Sequence, residues 1–313
     1  MNTFDIFVDS SANIPTQTTK EKNIKVIPYI CNVNGFDRLC FEDGMPFEEL
    51  AKQFYNDMRA GVNTTTSLVS MQRIIDAMTP SLKAGKDALM ITISSGISGT
   101  YAQANEAKKE LEKAFPSRKV VVIDSANASL GEGLQALRAA DLRDMGEDIE
   151  TCEKRLTESA YKIHSYFTVN DLKYLRKGGR ISAVAAIAGS ILSIKPVLRA
   201  DGGENAKISF LSKEHGRKKA ISALVRAFDE HAVHPECQTV AITHADCEEE
   251  ANALAETLKE HGARDVIVEY YDLCTGTHVG PGTIALFFTG EDRRNLSPAS
   301  ERVSAGKTVP SRS

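Results

Sequence analysis

Three apolar runs in the first half of this chain end alike, and that recurrence is what most narrows the folds open to it. Phe4-Asp5-Ile6-Phe7-Val8 leads into Asp9-Ser10-Ser11-Ala12-Asn13-Ile14-Pro15. Asp87-Ala88-Leu89-Met90-Ile91-Thr92-Ile93 leads into Ser94-Ser95-Gly96-Ile97-Ser98-Gly99-Thr100-Tyr101, and Lys119-Val120-Val121-Val122-Ile123 into Asp124-Ser125-Ala126-Asn127-Ala128-Ser129. Helical segments follow the polar turns, and strands alternating with helices predict a parallel sheet. Ligands of such sheets bind outside the carboxyl ends of the strands, where all three turns fall. The turn at 94–100 combines hydroxyls and glycines with a helix start, whose N–H groups and dipole suit a phosphate or a carboxylate. A helix that is merely well capped would use the same residues. The agreement of three turns favours a site. None is a nucleotide fingerprint: there is no G-x-x-x-x-G-K-[ST], and Gly131-Glu132-Gly133 lacks the third glycine of the dinucleotide motif.

With 313 residues the chain can form two domains, each with its own core. A net charge of −4 and a pI near 6.0 exclude a general nucleic-acid binder, which would be strongly basic. The N-terminus lacks the basic start and apolar run of a signal peptide. The uncharged apolar run over residues 181–194 is too short to span a bilayer. Cys31, Cys40, Cys152, Cys237, Cys247 and Cys274 form no C-x-x-C pair, so the chain reads as a cytoplasmic protein with reduced thiols, without a zinc site.

Further along, helical spacing of Phe47, Leu50, Phe54 and Met58 predicts a helix over 47–59. The hydroxyl cluster Asn63-Thr64-Thr65-Thr66-Ser67 precedes a helix starting at Met71. A second unit begins near Tyr166-Phe167-Thr168-Val169. Its run 181–194, apolar on nearly all sides, reads as a helix that is buried or lines an apolar cavity. Helices over 217–231 and 248–261 and strands over 239–243 and 266–270 complete it. From Gly290 onward Arg, Ser, Pro and Glu dominate without periodicity, which predicts a disordered tail over 291–313.

Among residues that could carry chemistry, His278 lies between Gly276 and Gly280-Pro281-Gly282, with little apolar company. It is either a ligand-binding group or a structural histidine bonded to a carbonyl. Metal ligation has no supporting pattern, since His244-Ala245-Asp246 and His231-x-x-His234 lack partners. A serine nucleophile would combine Ser94, Ser95 or Ser98 with His278 and Asp124 or Asp9, although Gly96-Ile97-Ser98-Gly99-Thr100 is not the G-x-S-x-G elbow. Residues 171–219 hold 11 Lys/Arg against 4 Asp/Glu. Such a cluster is a solvated face, or a dock for an acidic partner or a membrane surface.

The motifs Asp9-Ser10-Ser11-Ala12-Asn13-Ile14-Pro15, Thr66-Ser67, Ser94-Ser95-Gly96-Ile97-Ser98-Gly99-Thr100-Tyr101, Phe167-Thr168-Val169-x-Asp171-Leu172-x-Tyr174-Leu175-x-x-Gly178-Gly179-Arg180-Ile181, Ile194-Lys195-Pro196 and His278-x-Gly280-Pro281-Gly282 resemble, in order and spacing, those of the DegV family. The resemblance runs from about residue 4 to 289 and implies two α/β domains. The first would be a parallel-sheet α/β/α domain over 1–158, and the second an α/β domain with a mixed sheet over 159–290. It implies a lipid carrier without catalysis, metal or cofactor, whose ligand is a long-chain fatty acid. The carboxylate would lie at Thr66, Ser67, Ser94, Ser95, Gly96 and His278. The acyl chain would run past Ile181, Ala185, Ile187, Ile191 and Leu192. The partner implied is a separate ATP-dependent fatty acid kinase that makes an acyl phosphate for phospholipid synthesis, docked at Arg176, Lys177 and Arg180. Two alternatives come from the residues themselves: a serine hydrolase or thioesterase acting on acyl esters, and a phosphate-binding subunit of a small-molecule kinase relay. One departure from the family pattern is Leu68-Val69, where the family commonly has Gln-Pro.

Overall fold

The computed structural model of the protein describes residues 4–42, 47–180, 194–201, 203 and 206–296. Its first unit contains strands β1 (Phe4–Asp9), β2 (Ile24–Ile27), β3 (Ile30–Val33), β4 (Phe36–Leu39), β5 (Thr64–Ser67), β6 (Asp87–Thr92) and β7 (Val120–Asp124). Around them lie helices α1 (Thr16–Glu21), α2 (Phe47–Arg59), α3 (Met71–Lys83), α4 (Thr100–Ala114), α5 (Leu130–Asp144) and α6 (Ile149–Ser159). Four strands form a fully parallel sheet in the order β2-β1-β6-β7. Side-chain alternation explains why it is covered on both faces. Phe7, Ala88, Met90 and Val120 point to one side, against Ile74 and Met78 of α3 and Ala104, Ala107 and Leu111 of α4. Ile6, Val8, Leu89, Ile91 and Ile123 point to the other, against Ala136, Ala139 and Leu142 of α5 and Leu156 of α6. A small antiparallel sheet, β4-β3-β5, hangs beside this sandwich.

The second unit holds β8 (Ile163–Thr168), α7 (Lys173–Lys177), β9 (Ile194–Ala200), β10 (Ile208–His215), α8 (Arg217–His231), β11 (Thr239–His244), α9 (Glu248–Glu260), β12 (Asp265–Tyr270), α10 (Leu273–Val279) and β13 (Ile284–Thr289). Its six-stranded sheet is mixed, in the order β10-β9-β8-β13-β11-β12, with only β11 and β12 parallel. Tyr166, Leu286 and Phe288 face α8 and α9. Phe167, Leu198, Ala241, Ala285 and Phe287 face the first unit and belong to the same apolar cluster as Phe7 and Met90. The two units therefore share one continuous core. This is the expected parallel-sheet α/β/α unit followed by a mixed α/β unit. Among the described residues no helix is long and apolar enough to cross a membrane.

Four sequence expectations need revision or fall outside what the structure describes. The hydroxyl cluster at Thr64–Ser67 is a strand, stabilised by pairing with β3. Strand β10, absent from the sequence reading, pairs antiparallel with β9 at the sheet edge. The tail expected to be disordered from 291 begins with a 3-10 turn, Arg293–Asn295. Arg293 is 3% exposed, and its guanidinium donates to the carbonyls of Asp201 (3.0 Å), Ala160 (3.1 Å), Ile163 and Ala126. One polar side chain thus orders a segment that has no apolar periodicity to reveal it. The apolar run proposed as an acyl-pocket helix, including Ile181, Ala185, Ile187, Ile191 and Leu192, lies outside the described residues, apart from Ile194, the first residue of β9.

At the amino end of β1, Asp5 is buried and accepts from Lys25 Nζ (2.6 Å), Lys86 Nζ (2.9 Å) and Ser81 Oγ (2.8 Å). Burial alone would raise its pKa, but the two ammonium groups and the hydroxyl outweigh burial and hold it at about 2, below the ordinary 3.8. A depressed carboxylate stabilises the fold above its unfolded pKa, and that contribution fades as the pH falls through the folded value. Acid unfolding followed by circular dichroism is therefore expected to show a loss of stability between pH 4 and pH 2, and Asp5→Asn should flatten it.

Candidate functional site

A cavity of about 390 Å³ lies between the two units. Its floor is the inward face of the mixed sheet: Ser165 and Phe167 of β8, Ala200 of β9, Ile208 of β10 and Phe287 of β13. Its roof comprises β5, α10, the end of α7, and the turns that follow β6 and β7. The floor and much of the wall are apolar, with Ile93, Ile97, Leu175 and Val279 joining the aromatic rings. Polar groups gather at one part of the wall, where Thr66 Oγ1 lies 2.8 Å from His278 Nε2.

His278 is carried by α10 instead of the glycine-bounded loop that the sequence suggested. Asp272 caps that helix, accepting from the amides of Cys274 (3.2 Å) and Thr275 (2.9 Å). Helical spacing then places Cys274, Thr277 and His278 on one face, and all three line the cavity. Two glycines allow the surrounding elements to approach. A Cβ on Gly178 would stand 2.3 Å from His278 Nδ1, and Gly280, at φ +81°, would put one 2.1 Å from the Tyr174 ring. Burial, helped by Arg180 and Lys177, lowers the His278 pKa to about 4, so the imidazole is neutral near pH 7. Nδ1 has no hydrogen-bond partner among the described residues, and none of them supplies the carbonyl bond of a structural histidine.

Of the predicted carboxylate ligands, Thr66 and His278 are brought together on the cavity wall. Ser67, Ser94, Ser95 and Gly96 are not among its lining residues. Ser94 Oγ instead donates to Ala206 O (3.3 Å) and accepts from Gly96 N (3.2 Å). The Ser95 amide donates to the Asp124 carboxylate (3.2 Å to the nearer oxygen). The Ile97 and Ser98 amides bond Ser94 O, and the Thr100 amide bonds Ser98 Oγ. Most amides of this turn are thus taken by the protein itself. The hydroxyls that do face the cavity include Tyr29 and Ser98, joined through Thr100: Tyr29 Oη lies 2.6 Å from Thr100 Oγ1, which is 3.1 Å from Ser98 Oγ. Sequence reading passed over Tyr29, whose only signal was a lone aromatic hydroxyl in a β-rich stretch.

The serine-hydrolase reading requires a bond between serine and His278. Here Nε2 faces Thr66 and Nδ1 has no partner among the described residues, so neither nitrogen bonds a described serine. Two of the three proposed docking residues are also engaged internally. Lys177 Nζ donates to Asn63 Oδ1 (2.6 Å) and Thr64 O (3.3 Å), and Arg180 Nε to Ile97 O (3.2 Å). Both line the cavity, which Arg176 does not; Arg176 and Lys177 are exposed and Arg180 is partly buried. Among the described residues no cluster of His, Cys, Asp and Glu could hold a metal ion. At the departure from the family pattern, Leu68 lines the cavity and packs near Gly99, while Val69 is fully buried.

Fold and cavity together define a two-unit α/β binding protein whose apolar pocket has a neutral polar corner. A family profile described as "Uncharacterised protein, DegV family" matches residues 3–291. The chain belongs to the DegV family. It is 36% identical over 295 residues to a DegV domain-containing protein of Clostridium perfringens, covering 94% of this chain and 99% of that one. Its fold is similar to that of a DegV family protein from Thermus thermophilus whose structure is described as showing fatty acid binding (TM-score 0.82, 25% identity, 92% and 99% of the two chains covered). It is similar also to DegV of Bacillus subtilis, described as a fatty acid binding protein (TM-score 0.78, 29% identity, 93% and 100% covered).

The close fit at Gly178 yields a test. Gly178→Ala is expected to displace the His278 ring and weaken ligand retention at least tenfold, with the unfolding midpoint moved by only a few degrees. Retention equal to the wild type would show that the ring position does not matter.

Proposed function

We propose that this chain is a carrier that binds a long-chain fatty acid in the cavity between its two units and performs no chemistry on it. The observation that carries this reading is the Thr66–His278 pair, a neutral polar corner in an otherwise largely apolar pocket. A carboxylate there would replace the Thr66–His278 bond, accepting the threonine hydroxyl proton and the proton of imidazole Nε2, with Lys177 and Arg180 adding positive potential nearby. Its acyl chain would lie over Phe167, Phe287 and Ile208. Burying a chain of about sixteen carbons at ~0.8 kcal/mol per methylene contributes roughly 12 kcal/mol before association costs. The chain supplies affinity and the head group supplies orientation. The fatty-acid descriptions of the Thermus and Bacillus relatives support the same ligand class.

We further propose that the bound acid is presented in the cytoplasm to a separate ATP-dependent kinase, which phosphorylates its carboxylate for phospholipid synthesis. A carboxylate held by neutral donors keeps its nucleophilic oxygen, as phosphoryl transfer requires. The exposed Arg176 would belong to the docking face, which could also make transient membrane contact.

Mass spectrometry of organic extracts from the never-delipidated protein is expected to find long-chain fatty acid near one per chain. Thr66→Ala combined with His278→Ala should reduce that occupancy at least tenfold, and unchanged occupancy would refute the head-group assignment. Arg176→Glu should leave occupancy intact while slowing acyl-phosphate formation with a fatty acid kinase several-fold. If both quantities fell together, Arg176 would belong to the pocket.

A further inference from the structure

A second cavity, of about 300 Å³, lies on the far side of α10, where the carboxyl end of β1 meets that of β12. Its chemistry is opposite to the first. Carboxylates of Asp9, Asp272 and Glu269 line it, with Glu48 and Glu248 also on its wall, and no lysine or arginine is among the described lining residues. At the wall, Lys52 bridges Glu48 (2.5 Å) and Glu248 (4.0 Å). Asp9, Asp272 and Glu269 have no cationic partner among the described residues. Asp9 and Asp272 do accept backbone amides, from Ser11 and Ile93 and from Cys274 and Thr275. Glu269 accepts one, from Tyr270.

Two further side chains of this wall are buried with unused hydrogen-bonding capacity. Tyr270 is 7% exposed, and its hydroxyl has no partner among the described residues. His244 is 2% exposed and packs its ring 4.2 Å from that of Tyr270. Its Nδ1 accepts the Cys247 amide (3.4 Å), which leaves the proton on Nε2, and Nε2 has no partner among the described residues. Burial holds this imidazole neutral, at about 4, and raises Asp9 to about 6 and Glu269 and Asp272 to about 7. Carboxylates without counter-charge around a space of this size are the complement of a cation. Aromatic rings on the wall, Phe47 and Tyr270, favour an organic ammonium over a hydrated metal ion, as does the absence of any metal-holding cluster among the described residues.

We propose that this cavity is a second ligand site, independent of the acyl pocket, and that it takes a small primary ammonium compound carrying a hydrogen-bond acceptor, such as an amino alcohol. The ammonium sits against Glu269, between Asp9 and Asp272, and the acceptor takes the proton of His244 Nε2 or of the Tyr270 hydroxyl. The two sites share no described lining residue, so substitutions at Glu269 and Tyr270 leave the lining of the acyl pocket untouched.

Isothermal titration calorimetry of the full chain with ethanolamine, at low ionic strength, tests this. Saturable binding near one per chain is expected. Glu269→Gln should weaken it at least tenfold and Tyr270→Phe several-fold, with extractable fatty acid unchanged in both variants. Gln is nearly isosteric with the carboxyl group it replaces, and Phe removes only the hydroxyl, so each variant probes the site without emptying it. Putrescine, which has a second ammonium in place of the acceptor, should bind more weakly. The proposal is overturned if ethanolamine shows no saturable binding, if Glu269→Gln binds as the wild type does, or if magnesium chloride displaces the amine at equal concentration.

Discussion

The hydrogen bond between Thr66 and His278 joins residues 212 positions apart in sequence, from a three-stranded sheet in one unit and a short helix in the other. It exists only because both supports are fixed. Thr66 is placed by the pairing of β5 with β3. His278 is placed by a helix that Asp272 caps and that presses Gly276 against Tyr55, whose hydroxyl in turn donates to Tyr271 O at 3.0 Å. Neither partner is charged near pH 7, since burial keeps the imidazole neutral. The corner therefore carries no fixed counter-charge of its own, and desolvating it costs less than desolvating an ion pair.

The turns at the strand ends show how this recognition differs from a common phosphate site. In many parallel sheets, free amides at such turns hold an anion. Here Asp9 accepts the amides of Ser11 and Ile93, and Asp124 those of Ser95 and Ala126. The anion positions are filled from inside by carboxylates at the ends of two strands of the same sheet. Hydroxyls and an imidazole remain for an external ligand. A monoanionic head group can be satisfied by so few donors, whereas a phosphate would leave most of its acceptor oxygens unmatched.

These particulars explain what could be read from the sequence. The parallel sheet was legible because its strands are short apolar runs whose alternation fills both faces, and the helices over 47–59 and 217–231 have the boundaries their periodicity predicts. His278 stood out from its glycine-rich surroundings, but its pairing with Thr66 was suggested only by family resemblance, since no local pattern relates a strand threonine to a histidine so distant. Of the serines in the 94–100 turn, Ser98 lines the cavity, whereas Ser94 Oγ bonds Ala206 O and the Ser95 amide bonds Asp124, partners from other elements that local sequence does not reveal. Arg293 was under-read for the complementary reason: a single buried guanidinium orders the chain without any period, and composition records only a polar tail.

Helix α10 is where these observations meet. It spans seven residues, about 10 Å along its axis. Its capping carboxylate, Asp272, faces the acidic cavity, while Cys274, Thr277 and His278 face the apolar one. A helix this short gains little from its own hydrogen bonds, so its position is set by packing and by its cap. Tyr55, Tyr174 and the Gly178 backbone supply the packing, and Asp272 supplies the cap. Asp272, which begins the helix, and His278 are thus held by the same few contacts. The polar corner therefore depends on the cap at the other end of the helix, whereas Glu269 and Tyr270, carried by β12, lie outside that set of contacts.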